Sequence, residues 1–371
     1  MADTFYYSRD TKVHLTTTSG AIYKIPVLDG FSFSQATNTS EVTLNEMATS
    51  AGVSRRARQM FTDSYAPAEW SMSTYIRPFK SGGAGSGGEH AAAEHHAVEE
   101  ALWNALAAGA APGQSGDALT PGGSNMTLNF SNSNKVALDT FTLEFEMGSG
   151  KSNPTIYKIT DCVVNEVSID FDIDGIATAN WSGFGSIITE ESSMSTASIY
   201  EGTAAADTNN FIRNRLTDLT VTATAAGSIT TAYTLTLTGG NITISNNMTY
   251  LTPETLGIIN QPLGHVTGTR SVSGTFTCYL NTPSSGASSA DLFEDIIEST
   301  DVITNDFDLT FVIGGTGNSP TLTMNLNTCH LEVPTHSIDD IVSLETSFHA
   351  LPTSVDATDE IDMIFLGPTV T

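Results

Sequence analysis

The chain contains one segment twice, and any fold it adopts must give that segment two equivalent places. "FTLEFEMGSGKSNPT", from Phe141, returns as "FDLTFVIGGTGNSPT" from Phe307. Phe141, Leu143, Phe145, Gly148, Pro154 and Thr155 recur at a constant offset as Phe307, Leu309, Phe311, Gly314, Pro320 and Thr321. Phenylalanine and proline are uncommon in this chain, so duplication of a whole unit explains the match better than composition does.

The repeat continues on both sides. Cys162 in "DCVVNEVSIDFDIDGIATANWSGFG" pairs with Cys329 in "TCHLEVPTHSIDDIVSLETSFHALP" after a one-residue slip, which sets Asp172 on Asp339 and Trp181 on Phe348. Upstream, "AIYKIPVLDGFSFSQ" from Ala21 aligns without a gap on "AYTLTLTGGNITISN" from Ala232, so Phe31 and Phe33 fall on Ile242 and Ile244. "WSMSTYIRPF" lies over "GTFTCYLNTP", and Met72, Tyr75 and Ile76 meet Phe276, Tyr279 and Leu280.

Thr, Ser, Gly and Asn are abundant, and stretches such as "DLTVTATA" alternate polar with apolar residues at period two, the pattern of a sheet with one wet face. Each half carries one helical signal. Ser288 and Asp291 predict a cap before the face Leu292, Phe293, Ile296 and Ile297. In the first half Leu102, Trp103 and Leu106 occupy the matching positions. The 371 residues suffice for two cores. The expected architecture is mainly β, with two tandem domains, each with one flanking α-helix. Residues 1–190 form the first, with a flexible Gly/Ala-rich insertion around 81–124; 191–212 are the linker and 213–371 the second.

The formal net charge is −27, which favours solubility and opposes a grip on nucleic acid. Residues 217–371 hold one basic side chain, Arg270, against seventeen acidic ones. Three cysteines and an N-terminus without an apolar core suggest synthesis in a reducing cytoplasm. No apolar run approaches the ~18 residues of a membrane helix, so no membrane partner is expected. Asn-x-Ser/Thr sequons such as Asn247–Thr249 are expected by chance in so Asn- and Thr-rich a chain.

No motif carries enzyme chemistry. The run "SGGAGSGG" from Ser81 lacks the Gly-Lys-Ser/Thr ending of a phosphate loop and reads as a linker. His90, His95 and His96 lie near Glu94 and Glu99, and a His95–Glu99 pair at helical spacing could hold a metal, but a polar helix flank explains them equally well. "SIDFDIDGI" starts like a calcium loop with Asp170, Asp172, Asp174 and Gly175, yet Trp181 stands where the twelfth-position Glu belongs. It reads as an amphipathic strand with an acidic face. No cofactor, metal or catalytic residue is assigned. Arg55, Arg56 and Arg58 in "SAGVSRRARQMF" concentrate positive charge and suit either an exposed loop or forked pairing with acidic neighbours.

"GFSFSQATNTSEVTLNE", "YAPAEWSMSTYIRPF" and "VVNEVSIDFDIDGIATANWSGFG" resemble, in wording and order, the tail tube proteins of long-tailed bacteriophages. The similarity covers most of residues 20 to 190, and the internal repeat extends it more weakly to the C-terminus. It implies β-sandwich or barrel-like domains whose strands join around a ring to enclose a lumen. Most members form rings of six single domains, and a fused pair lets a homotrimer complete such a ring. It also implies stacking into a tube in the virion tail, assembled in the host cytoplasm, with tape measure, tail terminator and baseplate proteins as partners.

Genomic DNA would then pass without specific binding. A basic lining would hold duplex DNA by counterion release, and an acidic or neutral one lets it slide. Asp170, Asp172, Asp174, Asp339 and Asp340 are the candidate lumen residues. The stretch Gln35 to Pro67 resembles the loop that reaches an adjacent ring, which makes Arg55, Arg56 and Arg58 candidate inter-ring contacts. A secreted β-sandwich adhesin would share the Thr/Asn-rich strands and the acidity, but would need an export signal. An enzyme would need a pocket with converging titrating groups.

Overall fold

The computed structural model describes residues 5–42, 59–82, 90, 93–130, 137–195, 199–200, 202–223, 232–252, 262–282, 287–298 and 307–370. Its first half contributes β1 (Lys12–Thr17), β2 (Ile22–Ile25), β3 (Ser32–Glu41), β4 (Met60–Tyr75), α1 (Glu100–Ala107), β5 (Phe141–Met147), β6 (Thr155–Asp172), β7 (Thr178–Gly185) and β8 (Ile188–Glu191). β2, β1, β5, the start of β6 and β8 are antiparallel neighbours in that order. β3, β4, β7 and the far part of β6 form a second antiparallel set. One long strand therefore serves two sheets.

A bulge makes this possible. Asp161 takes a left-handed φ of 52°, and the pairing of β6 with β5 slips between Ile159 and Cys162. The buried Cys162 thiol donates to the Ile159 carbonyl at 3.4 Å. An extra residue of this kind bends a strand and re-aims its side chains.

The second half repeats the plan with β9 (Asp218–Ala223), β10 (Ala232–Thr234), β11 (Leu237–Ser245), β12 (Ser271–Tyr279), α2 (Ser289–Glu298), β13 (Phe307–Ile313), β14 (Thr321–Leu331), β15 (Thr335–Ile338), β16 (Val342–Ala350) and β17 (Asp362–Leu366). β10, β9, β13, the start of β14 and β17 are neighbours, and β11, β12 and β16 lead to β15 and the end of β14. Thr328 has φ 62°, and the buried Cys329 thiol donates to the Leu326 carbonyl at 3.6 Å. The cysteines matched in sequence thus mark the same kink in both halves.

The halves meet edge to edge. The far part of β6 pairs antiparallel with β11 from Glu166–Ser245 to Asp172–Gly239. The result is one continuous sheet in the order β3, β4, β7, β6, β11, β12, β16, β15. Below it runs one contiguous core that includes Trp70, Trp103, Trp181, Phe171, Phe276, Phe311 and Phe348. Phe171 lies 5.6 Å from Phe311, and Phe311 lies 5.7 Å from Phe348, so aromatic packing crosses from one half to the other. Truncating a buried Phe of this kind costs about 3–5 kcal/mol.

Both expected helices are present. α1 is buried along its length, with Trp103 set edge-on to Trp181 at 4.5 Å. At α2, Ser288 and Asp291 cap each other: the Ser288 backbone N–H donates to Asp291 Oδ2 at 2.7 Å, and the Asp291 N–H donates to Ser288 Oγ at 3.3 Å. The chain between the halves is pinned. Ile199–Tyr200 pairs parallel to β2. The buried Arg77 guanidinium donates to Asn210 Oδ1 at 3.0 Å and to the carbonyls of Ala204 and Ala205 at 3.0 and 2.9 Å. It also stacks on Phe211 at 4.3 Å. Removing it would leave these buried acceptors unpaired, at about 1–3 kcal/mol for each.

Beside that clamp sits Glu99, which accepts from the Arg77 backbone N–H at 3.3 Å and from Trp103 Nε1 at 3.1 Å. Burial pushes its carboxyl up from 4.5 to about 7, against the pull of these hydrogen bonds and of Arg77. Between those values the folded chain keeps a proton that the unfolded chain has released, so stability falls as pH rises through this window and then levels off. Chemical denaturation at pH 5 and pH 8.5 should show wild type losing on the order of 3 kcal/mol relative to Glu99→Gln. A pH-independent difference between the two proteins would show that Glu99 titrates normally.

Candidate channel face and assembly edges

The continuous sheet has one apolar and one polar face because its strands alternate at period two. Val167, Ile169 and Phe171 of β6 enter the core, while Ser168 and Asp170 turn outward. Register extends the outward set across both halves. One cross-strand row runs Ser73, Asn180, Ser168, Thr243, Ser273 and His349. The next runs Tyr75, Thr178, Asp170, Asn241, Thr275 and Ser347. Another holds Asp172, Gly239, Thr277, Glu345 and Thr335.

Hydrogen bonds tie the rows laterally. Ser73 Oγ donates to Asn180 Oδ1 at 2.7 Å, and Asn180 Nδ2 donates to Asp170 Oδ2 at 2.8 Å. The face is small, hydroxylated and acidic; these rows contain no lysine or arginine.

Two strands of the sheet are paired on one side alone among the described residues. β3 pairs with β4, and β15 pairs with β16. All four residues of β15 are exposed, and Ile338 is 80% exposed. Its counterpart in the first half, Phe171, is 1% exposed because β11 covers it. β3 and β4 also extend as a hairpin arm beyond the sheet, baring Val42, Met60, Phe61 and Tyr65.

These features have a counterpart among known proteins. A family model described as phage tail tube protein matches residues 62–350. The chain belongs to that family. It is also 30% identical to the tail tube protein pb6 of Escherichia phage T5, over 95% of this chain and 74% of that protein. As a phage tail tube protein it is a structural component of the virion tail and self-assembles into the tube. No helix among the described residues is long and apolar enough to cross a membrane.

Within this tail tube protein, Asp170 and Asp172 lie on the polar face near the β6–β7 turn, with Asp174 in the turn itself. Asp174 forms an exposed ion pair with Arg215 at 3.1 Å. Asp339 and Asp340 occupy the exposed turn between β15 and β16. The five do not form one cluster: three stand at a turn in the first half and two at the matching turn in the second. Arg55, Arg56 and Arg58 lie outside the described residues. Within the stretch from Gln35 to Pro67, the described residues belong to the hairpin arm.

Glu166 and Glu345 share the polar face but carry no motif that marks them. Alternation along β6 places Glu166 on the side of Asp170, whereas only register reveals Glu345. The His95–Glu99 pair does not form. His95 Nδ1 accepts from the Gly367 N–H at 3.2 Å, burial lowers its pKa, and the spacing is realised one residue later by His96 and Glu100.

The seam between halves admits no side chain at Gly240. A Cβ there would stand 2.4 Å from the Thr275 carbonyl and 2.9 Å from the Phe171 ring. Gly240→Val should therefore lower stability by about 1–3 kcal/mol in urea unfolding. An unchanged midpoint would mean that the seam opens freely.

Proposed function

We propose that three copies of this chain close into a ring of six equivalent sheet segments, and that stacked rings form a channel for DNA lined by the polar face. The role is structural and involves no catalysis. The observation that carries this reading is the β6–β11 seam, together with the two edges left over. β15 continues the second half as the end of β6 continues the first, and β3 stands where β11 stands. The bare β15 of one copy is thus the natural partner of β3 in the next. Carrying Ser168–Thr243 through the repeat puts Thr335 of one copy opposite Ser32 of its neighbour.

Such head-to-tail contacts close only when the rotation per copy divides a full turn. Burial of Ile338 at the joint supplies an apolar drive that Phe171 already supplies inside the chain. The arm with its exposed Met60 and Phe61, and the arginines Arg55, Arg56 and Arg58 near its tip in sequence, are assigned to contact between rings. A tape measure protein is the proposed occupant of the channel before DNA, with terminator and baseplate proteins at the tube ends.

Ser32→Cys combined with Thr335→Cys tests the closure in assembled tubes. Oxidation should give a covalent ladder that stops at three chains, and averaged end-on electron micrographs should show threefold or apparent sixfold rings. A ladder running past three, or no cross-link in intact tubes, would overturn the trimeric ring.

The lining is tested by charge. Asp172→Lys with Asp339→Lys should slow DNA ejection in vitro several-fold at low salt while tubes remain intact, because each ring would then hold phosphates. Ejection at the wild-type rate would remove these residues from the lining.

A further inference from the structure

Between the Gly-rich run and α1, three side chains converge that the tube reading does not use. His96 lies on the short strand His95–Ala97, Glu100 opens α1, and His90 precedes them. Each offers a ligand atom, and these atoms lie within 4.8 Å of one another. His96 Nδ1 is 2.9 Å from Glu100 Oε2, His90 Nε2 is 3.9 Å from Glu100 Oε1, and the imidazole centroids are 3.6 Å apart. His96 and Glu100 are buried, and Phe79 and Tyr200 wall the cluster at 5.8 Å from His96 and 5.5 Å from His90.

We propose that His90, His96 and Glu100 bind one divalent transition-metal ion of the zinc type, with Glu94 as the outer partner of His96. The ligand set, two imidazoles and one carboxylate, suits such ions. Tetrahedral ligands at ~2.0–2.1 Å from zinc stand roughly 3.3 Å from one another, and the three candidate atoms here lie within 4.8 Å, so the two imidazoles would have to turn toward a common point as the ion enters.

A second observation points the same way. His96 Nε2 is buried and has no hydrogen-bond partner; Glu94 Oε2, at 3.9 Å, is beyond hydrogen-bond range. In the neutral ring, a proton on Nδ1 serves Glu100 and leaves Nε2 bare before a carboxylate, an unsatisfied arrangement. A metal on Nδ1 displaces that proton. The ring then carries its hydrogen on Nε2, facing Glu94, which accepts it once the 3.9 Å gap closes, the carboxylate–histidine–metal order that orients metal-binding imidazoles.

The ion would fasten the segment after the Gly-rich run to α1, beside the Ile199–Tyr200 strand of the connecting chain. This assignment is independent of how rings close.

The test is titration of the tag-free, chelator-stripped full chain with Zn2+ at pH 7.5, followed by calorimetry and thermal melting. One equivalent should bind and raise the melting midpoint. His90→Gln and His96→Gln should abolish that equivalent, and Glu94→Gln should weaken it about 10-fold or more. Because His90 is only half-buried, its variant should melt with wild type when metal-free, which separates lost ligation from lost folding. Should that variant nevertheless unfold early, Co2+ in the wild-type chain gives an independent reading: intense visible bands of a tetrahedral site support the proposal. Weak octahedral bands, absence of binding, or binding unaffected by His90→Gln would overturn it.

Discussion

The molecule depends on the backbone pairing of β6 with β11. A sheet edge presents unpaired N–H and C=O groups, and an exposed flat edge will pair with whatever strand is available. Each half of this chain, taken alone, would carry two such edges. Pairing β6 with β11 removes one edge from each half and brings the two cores together as one, with Phe171 against Phe311. What remains is asymmetric: a bare β15 at one end of the continuous sheet and β3 at the other. The interaction that holds the chain together is also the proposed template for contact between chains.

That arrangement needs a strand able to leave one sheet and enter another, and the bulges at Asp161 and Thr328 provide it. Both residues take left-handed φ and precede a buried cysteine whose thiol meets the carbonyl three residues earlier. Burial pushes both thiols up, so neither is poised as a thiolate. They are small, apolar fillers at a tight kink. Past a second slip between Val164 and Glu166, β6 alternates between core and polar face from Glu166 to Asp172, which turns one sheet into both the hydrophobic floor and the proposed lining.

Much of this was legible in the sequence because it rests on short-range periodicity. The alternation in "DLTVTA" and the Ser288–Asp291 cap depend on residues a few positions apart, the matched cysteines depend on the internal repeat, and each is found where expected. What the sequence withheld depends on register or on a change of period. Glu345 joins the face of Asp170 only through pairings between distant strands. His95 and His96 sit on a strand that runs into a helix, so helical spacing read across the junction selects the wrong member: adjacent strand residues point to opposite sides, and His96 meets Glu100. The clamp of Arg77 on the connecting chain reaches more than a hundred residues and has no local signature.

The scarcity of positive charge acquires meaning once its placement is known. Residues 217–371 hold a single Lys or Arg, Arg270, and it is spent internally, paired with Glu360 at 2.5 Å and stacked 4.8 Å over Phe130 of the first half. In the first half Arg77 is buried among carbonyls, while Lys12, Lys158 and Lys151 face Glu146, Glu191 and Asp10 at 3.5, 3.5 and 3.9 Å. These cations have partners within the chain. A sheet face of serine, threonine, asparagine and carboxylates, with no lysine or arginine in its described rows, offers phosphates little to release counterions against, so as the proposed lining it would repel duplex DNA rather than bind it.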